Sequence, residues 1–178
     1  ITLLNEIILY CSDESVQNYI DEGLNYKFIK RNKKLDGNLI TFNEILDTLI
    51  DEIKTKYLLF FSVTSPFIKV STIEDMIDNI NSGEFDSSFL AEHINGFCWY
   101  NNQPLNYDPT NVCRTQDLSP VIVENSGLYI FSVDLYKKYK RRIGFNPYIK
   151  LVDKVESWDI DTIDEFKIAE IIGKEYGS

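Results

Sequence analysis

The stretch Tyr57-Leu-Leu-Phe-Phe-Ser-Val63 constrains this chain more than any other. Successive side chains of a strand point to opposite faces, so a run that is apolar at nearly every position needs cover on both. That need describes a central strand of a parallel sheet lying between two layers of helices. The flanking sequence supplies such helices. Before the run, Thr41 and Glu44 form a capping box, and Phe42, Ile45, Leu46, Leu49, Ile50 and Ile53 recur on one side of a helix. After it, Thr64-Ser65-Pro66 stops the strand. A helix is then predicted from Ser71, with Glu74 three residues on and Ile73, Met76, Ile77 and Ile80 turned inward.

The same alternation continues in both directions. Residues 6–13 read as a buried strand, followed by a short helix with Val16, Tyr19 and Ile20 inside and a stop at Gly23; residues 26–31 read as a second strand. Downstream, 88–92, 121–123, 128–131 and 148–152 are strand candidates, and 134–142 is a helix. Its basic tail, Lys137, Lys138, Lys140, Arg141 and Arg142, reads as a solvated face at a helix C-terminus, where the dipole favours cations. Strands alternating with helices predict a three-layer α/β/α sheet with right-handed crossovers. A single domain over residues 1–178 is expected, with no repeat or linker.

Hydrophobic residues at 44%, with 13% aromatics, are enough for a packed core and exclude a disordered class. No apolar run approaches the ~20 residues that span a bilayer, so no membrane partner is expected. A formal net charge of −10 repels phosphate backbones and argues against nucleic acid. A small anionic substrate would need a metal ion or local Arg and Lys. Cys11, Cys98 and Cys113 have no metal-ligand spacing and are odd in number, which favours reduced thiols and a cytoplasmic setting. His93 is the only histidine and nothing near it resembles a nucleophile elbow, which sets nucleophilic catalysis aside.

The chemistry concentrates near the C-terminus, in Lys154-Val-Glu-Ser-Trp-Asp-Ile-Asp-Thr-Ile-Asp-Glu-Phe166. Read as a strand, this places Asp159 and Asp161 on one face and Trp158 and Ile160 on the other. Thr162 and Glu165 then form a capping box, and Ile163, Phe166, Ala169 and Ile172 recur at helical spacing. Paired carboxylates at a strand end that feeds a helix can hold a hard cation, where ligands of open α/β sheets collect. Between Gly96 and Asn111 the chain turns rich in Asn, Pro and aromatics, which predicts an extended arm with Trp99 and Tyr100 as interface anchors.

In order, these pieces resemble the cytidylyltransferases that activate sugar acids, the acylneuraminate (CMP-sialic acid) and related synthetases. The matching stretches are Ser12-Asp13, Arg31 with Leu35, Thr64-Ser65-Pro66, Phe85-Asp-Ser87 and Pro104-Leu-Asn106. Arg114-Thr-Gln-Asp117, Glu124-Asn125 before Tyr129, Asp159-Ile-Asp161 and Ala169-Glu170 complete the set. The resemblance implies a mostly parallel Rossmann-like nucleotidyltransferase sheet and transfer of CMP from CTP to an anionic acceptor with loss of pyrophosphate. It implies Mg²⁺ on Asp159 and Asp161. Arg31, Ser12 and Asp13 would lie near the nucleotide, and Arg114, Gln116, Asn125 and Thr64 near the acceptor. It also implies a homodimer in which an arm at about 93–127 crosses to the second subunit and brings Arg114 near the partner's cleft.

Two departures bear on that expectation. The family opens with a strand and a loop of the A-R-x-G-S-K-G type that holds the triphosphate, and no such stretch occurs here. The resemblance therefore implies a preceding segment of about 50 residues, the size of a β-α unit with its loop. Ser62 and Val63 stand where members that take sialic acid carry an acceptor-binding Gln, which widens the acceptor to other sugar acids or small phosphorylated or phosphonate compounds. A D-x-D glycosyltransferase, a haloacid-dehalogenase-type phosphatase and a non-catalytic subunit lacking the phosphate loop are the competing readings.

Overall fold

The computed structural model describes residues 4–37 and 39–176. Its regular elements are β1 (Ile8–Cys11), β2 (Lys27–Lys30), α1 (Phe42–Leu49), β3 (Tyr57–Phe61) and α2 (Val70–Asn81). These are followed by β4 (Ser87–Ile94), β5 (Trp99–Tyr100), β6 (Gln103–Pro104), β7 (Val121–Ser132), α3 (Val133–Tyr139), β8 (Pro147–Leu151) and α4 (Ile163–Tyr176). Four strands form one sheet in the order β3-β7-β4-β8, with β4 parallel to β8 and β7 antiparallel to β3 and β4. β1 and β2 form a separate parallel pair.

The layers follow from the period of two along each strand. On β7, Tyr129 and Phe131 point into a core shared with Leu46, Leu49 and Ile50 of the α1 region and Tyr136 of α3. Leu128 and Ile130 point the other way, onto Ile73, Met76 and Ile80 of α2. Ile8, Tyr10 and Ile29 of the β1–β2 pair pack on the same cluster as Leu58 and Phe60 of β3, so both pieces of sheet share cover from α1. Burying side chains of this size, at about 1.5–3 kcal/mol each, is what joins the layers.

Several expectations are corrected. The apolar run at 57–63 is the outer strand of the four-stranded sheet among the described residues, not a central one; its side chains are only half-buried because β7 is its one pairing neighbour. The segments 121–123 and 128–131 are a single strand, β7. Its register against β4 jumps from Tyr129 opposite Phe89 to Asn125 opposite Leu90, leaving Ser126 to Leu128 outside that ladder as a bulge. The first helix is a short 3-10 turn, Glu14–Tyr19, and Tyr19 is 87% exposed. α3 stops at Tyr139 because Lys140 adopts a left-handed conformation, so Arg141 and Arg142 leave the helix.

Two capping details decide how the ends meet. The capping box of α1 forms as expected between Thr41 and Glu44. α2 instead begins at Val70, with Lys69 as N-cap and no cap bond from its own side chain; Glu156, 87 residues away, accepts the Lys69 N–H. At the other end of the sheet, the Asp86 carboxylate accepts the N–H groups of Phe145 at 2.6 Å and Asn146 at 3.2 Å. A Cβ on Gly144 would lie 2.2 Å from that carboxylate, so glycine lets the turn close over Asp86 and start β8 beside β4. The Phe85-Asp-Ser87 stretch thus acts as a backbone clamp. Among the described residues no helix is long and apolar enough to cross a membrane.

Candidate functional site

The site is assembled where three irregular segments meet beyond the end of β3. Ser62 N–H donates to Gly127 O at 2.8 Å, which fixes the turn after β3 against the β7 bulge. Ile160 N–H donates to Thr64 O at 2.9 Å, which lays the segment before α4 alongside that turn. Asn125 ties the same pieces: its amide donates to Ser157 O at 2.7 Å and its carbonyl accepts from Gly127 N–H at 2.8 Å. Gly127 has no room for a side chain, since a Cβ there would lie 2.6 Å from Ser65 Oγ. Backbone and short hydroxyl side chains therefore build this corner, which explains its density of Ser, Thr, Asn and Gly.

Asp159 is seated in that corner. Its carboxylate accepts from Ser126 Oγ at 2.9 Å, from Ile160 N–H at 3.1 Å and, at the limit of 3.5 Å, from buried Ser65 Oγ. The strand expected through Asp159 and Asp161 is absent. β8 ends at Leu151, a turn occupies 154–157, and the aspartates lie in an extended connection whose one ladder-like bond is the one to Thr64. Both aspartates nonetheless stand in the short connection that leads into α4. Glu165 accepts the N–H groups of Asp161 at 3.0 Å and Thr162 at 2.7 Å, completing the predicted capping box. The Thr162 hydroxyl is the main cause holding the Glu165 carboxyl below its ordinary range. Asp161 is exposed, and its carboxylate makes no hydrogen bond among the described residues.

Among the described residues no three His, Cys, Asp or Glu side chains cluster as a complete metal cage. Carboxylates two residues apart in sequence nevertheless fit Mg²⁺ by their chemistry, since it keeps several waters and takes one or two protein carboxylates together with substrate phosphates. Asp159, oriented by its hydroxyl partners, and Asp161, uncommitted, make such a donor set.

A second cluster lies at the carboxyl ends of β1 and β2. Arg31 Nη2 donates to Asp36 Oδ1 at 2.9 Å, and the Ser12 hydroxyl donates to Asp36 Oδ2 at 2.6 Å. The Ser12 bond, joined by Arg31 and opposed by partial desolvation, holds the Asp36 carboxyl below its usual range. Ser12 and Arg31 are thus brought together on the Asp36 carboxylate. Asp13 instead caps the following 3-10 turn, accepting Ser15 N–H at 2.9 Å.

The acceptor-side residues divide. Thr64 stands at the aspartates, its hydroxyl paired with Ser62 Oγ at 2.7 Å, and Asn125 is bonded to backbone beside them. Arg114 is 78% exposed at its side chain and pairs with Asp117 in its own turn, while exposed Gln116 lines a shallow hollow of about 310 Å³ with Asn95 and Thr115. Among the described residues neither hydrogen-bonds to the Asp159 cluster. A larger hollow of about 430 Å³ lies at the opposite end of β1 and β2, on residues 4–7 and 25–27, away from both clusters.

Sequence reasoning missed Asp36, Ser126 and Arg142. Arg142, read as part of a solvated tail, stacks over Tyr129 with its guanidinium carbon 4.3 Å from the ring centroid, and bonds Glu124 at 3.0 Å. Burial, with Glu124 at its hydroxyl, pushes the Tyr129 phenol well above its ordinary value. A Ser beside an Asn-x-Gly bulge and an Asp five residues past an Arg carry no signal without the tertiary contact.

The mixed sheet and its helical layers make a Rossmann-like α/β fold. Its solved likenesses include CMP:2-keto-3-deoxy-manno-octonic acid synthetase complexed with CTP, at a TM-score of 0.66 and 12% identity over 96% of this chain and 81% of that one. The 4-diphosphocytidyl-2C-methyl-D-erythritol synthase of Anaerococcus prevotii superposes at 0.63, with 12% identity over 96% and 82%. The bifunctional IspDF of Campylobacter jejuni gives 0.63 and 13% identity; the match covers 92% of this chain but 41% of that protein. No family model matches the sequence, and no curated protein matches it.

Proposed function

We propose that this chain carries the catalytic part of a cytidylyltransferase, which transfers CMP from CTP to an anionic acceptor and releases pyrophosphate. The observation that carries the reading is the seating of Asp159 between Ser126 and Ser65, two residues before uncommitted Asp161, on a fold shared with a synthetase solved with CTP. An acceptor oxygen attacks the α-phosphorus. As that P–O bond forms, the bond to the bridging oxygen of the β-phosphate breaks, and pyrophosphate leaves with the electron pair. Such a reaction needs alignment and charge neutralisation more than covalent chemistry from the protein. Mg²⁺ bound to Asp159 and Asp161 supplies that neutralisation. The chain's own part is to hold the two carboxylates at the foot of α4 and to place Arg31 and Ser12 toward the nucleotide.

The acceptor we favour is a sugar acid of the sialic-acid-like nonulosonate type. A small phosphorylated or phosphonate acceptor is the second reading, favoured by Ser62 and Val63 and by neighbours named for 2-C-methyl-D-erythritol 4-phosphate. In this proposal the β5–β6 hairpin is a dimer contact that carries Arg114 to the partner's cleft. Trp99 and Tyr100 on it are 59% and 67% exposed, and Asn101 and Asn102 turn it with positive φ. The test is pyrophosphate release by the full-length protein with CTP and Mg²⁺ against panels of sugar acids and of phosphorylated acceptors. Asp161→Asn should lower turnover by orders of magnitude while leaving the melting temperature within the small range of surface changes. Undiminished turnover in that variant would remove the metal assignment.

A further inference from the structure

Asp36 was not among the residues that the sequence pattern brought forward, yet it joins two that were. The 3-10 turn Lys33–Leu35 follows directly after Arg31, and Asn32 caps it by accepting Lys34 N–H at 3.0 Å. Asp36 N–H closes the turn on Lys33 O at 3.1 Å, which folds the chain back over the ends of β1 and β2. There the two carboxylate oxygens divide their work, one accepting from Ser12 at the end of β1 and the other from Arg31 at the end of β2. Arg31 N–H to Cys11 O, at 2.9 Å, is the last backbone bond between these strands, so the guanidinium is anchored at its root and at one edge.

Among the described residues the rest of the Arg31 guanidinium makes no hydrogen bond. Its Nε is buried without a hydrogen-bond partner, and its guanidinium carbon stands 6.0 Å from the Tyr10 ring centroid. A buried donor left unmet is costly, and a bound ligand or an ordered water relieves that cost. Arginine loses much rotamer freedom when it grips a ligand, and a carboxylate that already fixes the fork removes part of that loss before binding.

We propose that Asp36 is a positioning residue for the nucleotide: it holds Arg31 and Ser12 in one orientation across the ends of β1 and β2, and acts on the ligand only through Arg31. This rests on the cytidylyltransferase reading. Among the described residues no hydrogen bond joins the Arg31 cluster on the β1–β2 pair to the Asp159 cluster before α4; with the triphosphate assigned to the aspartates, the proposal gives Arg31 the nucleoside end. CMP, which has that end and lacks the β- and γ-phosphates, is therefore the informative probe.

The experiment is calorimetric titration of CMP and of CTP with Mg²⁺ into the full-length protein, its Asp36→Ala and Arg31→Ala variants and the double variant, with steady-state kinetics beside it. Asp36→Ala should weaken CMP and CTP alike by about tenfold, the scale of one lost pre-organised side chain. KM for CTP should rise by a similar factor with kcat unchanged at saturation. The double variant should bind no more weakly than Arg31→Ala alone, because Asp36 has no effect once the group it positions is gone. Losses that add in the double variant would overturn the proposal, as would an Asp36→Ala protein that binds like wild type while Arg31→Ala does not. Neither result touches the nucleotide reading. Wild type that binds neither ligand would sink that reading and this inference with it. If Asp36→Ala fails to fold, Asp36→Asn, which keeps one acceptor oxygen but not two, should show the same non-additive loss at smaller size.

Discussion

Replacing Glu156 by alanine tests whether the segment that carries the aspartates is held by the start of α2. The Glu156 side chain is nearly buried; one oxygen accepts Lys69 N–H at 3.1 Å and the other meets Lys69 Nζ at 3.0 Å. Lys69 is the N-cap of α2 and has no cap bond of its own, so removing Glu156 leaves the first turn of a 12-residue helix uncapped. A lost N-cap costs about 1 kcal/mol, and a charge-assisted bond to a buried partner about 1.5–3 kcal/mol. The Nζ pair adds little, because the Lys69 side chain is 56% exposed and water screens it. Both figures describe the one bond from Lys69 N–H, so the loss is about 1–3 kcal/mol, a drop of roughly 2–12 °C in melting temperature for a domain of this size. Glu156→Gln keeps an acceptor for Lys69 N–H and loses only the screened charge, so it should cost under about 1 kcal/mol. Thermal melts followed by circular dichroism measure both. Alanine within 2 °C of wild type, or glutamine as harmful as alanine, would refute the argument (about 0.5–1 kcal/mol being the resolution of that scale).

Two further outcomes are expected. Lowering pH should destabilise the fold: the Lys69 bond holds Asp153, the Lys140 bond holds Asp47 and the Ser12 bond holds Asp36 below their ordinary values. Depressed folded values add stability that is present above the unfolded carboxylate range near about pH 4 and lost as pH falls through the folded values, so urea midpoints should drop between about pH 5 and pH 3; a flat profile there would contradict the bonds. Sedimentation at micromolar concentration should give twice the chain mass, and the double change Trp99→Ala with Tyr100→Ala should shift it toward monomer. A wild type that stays monomeric over that range would return the hairpin to a surface feature of one chain.

Local signals were legible where the physics is local. The Thr41–Glu44 and Thr162–Glu165 boxes, the face of α1 and the existence of β1 to β4 and β8 follow from spacing alone, because caps and amphipathic periods involve residues within one or two turns. The D-x-D pair was visible as chemistry before anything was known of its surroundings. What failed were statements that depend on distant partners. Ser71 and Glu74 spell a cap, but the helix starts one residue earlier on a carboxylate supplied from position 156. Ile163 and Phe166 have core spacing yet are exposed, since periodicity says which residues share a face and not whether another element covers it.

The sequence by itself determined the helices α1 to α4, the strands β1 to β4 and β8, and that two carboxylates stand before the last helix. The tertiary structure decided the rest. It merged 121–132 into one bulged strand, moved Arg142 from solvent onto Tyr129, and turned Asp86 into a clamp for the 144–146 turn. It also joined Ser12, Arg31 and Asp36, and seated Asp159 between Ser65 and Ser126, positions 94 and 33 residues away along the chain. The physical reason is range. Backbone periodicity and capping are settled within a few residues, whereas hydrogen bonds between side chains far apart in sequence exist only once the sheet order has brought their strand ends together.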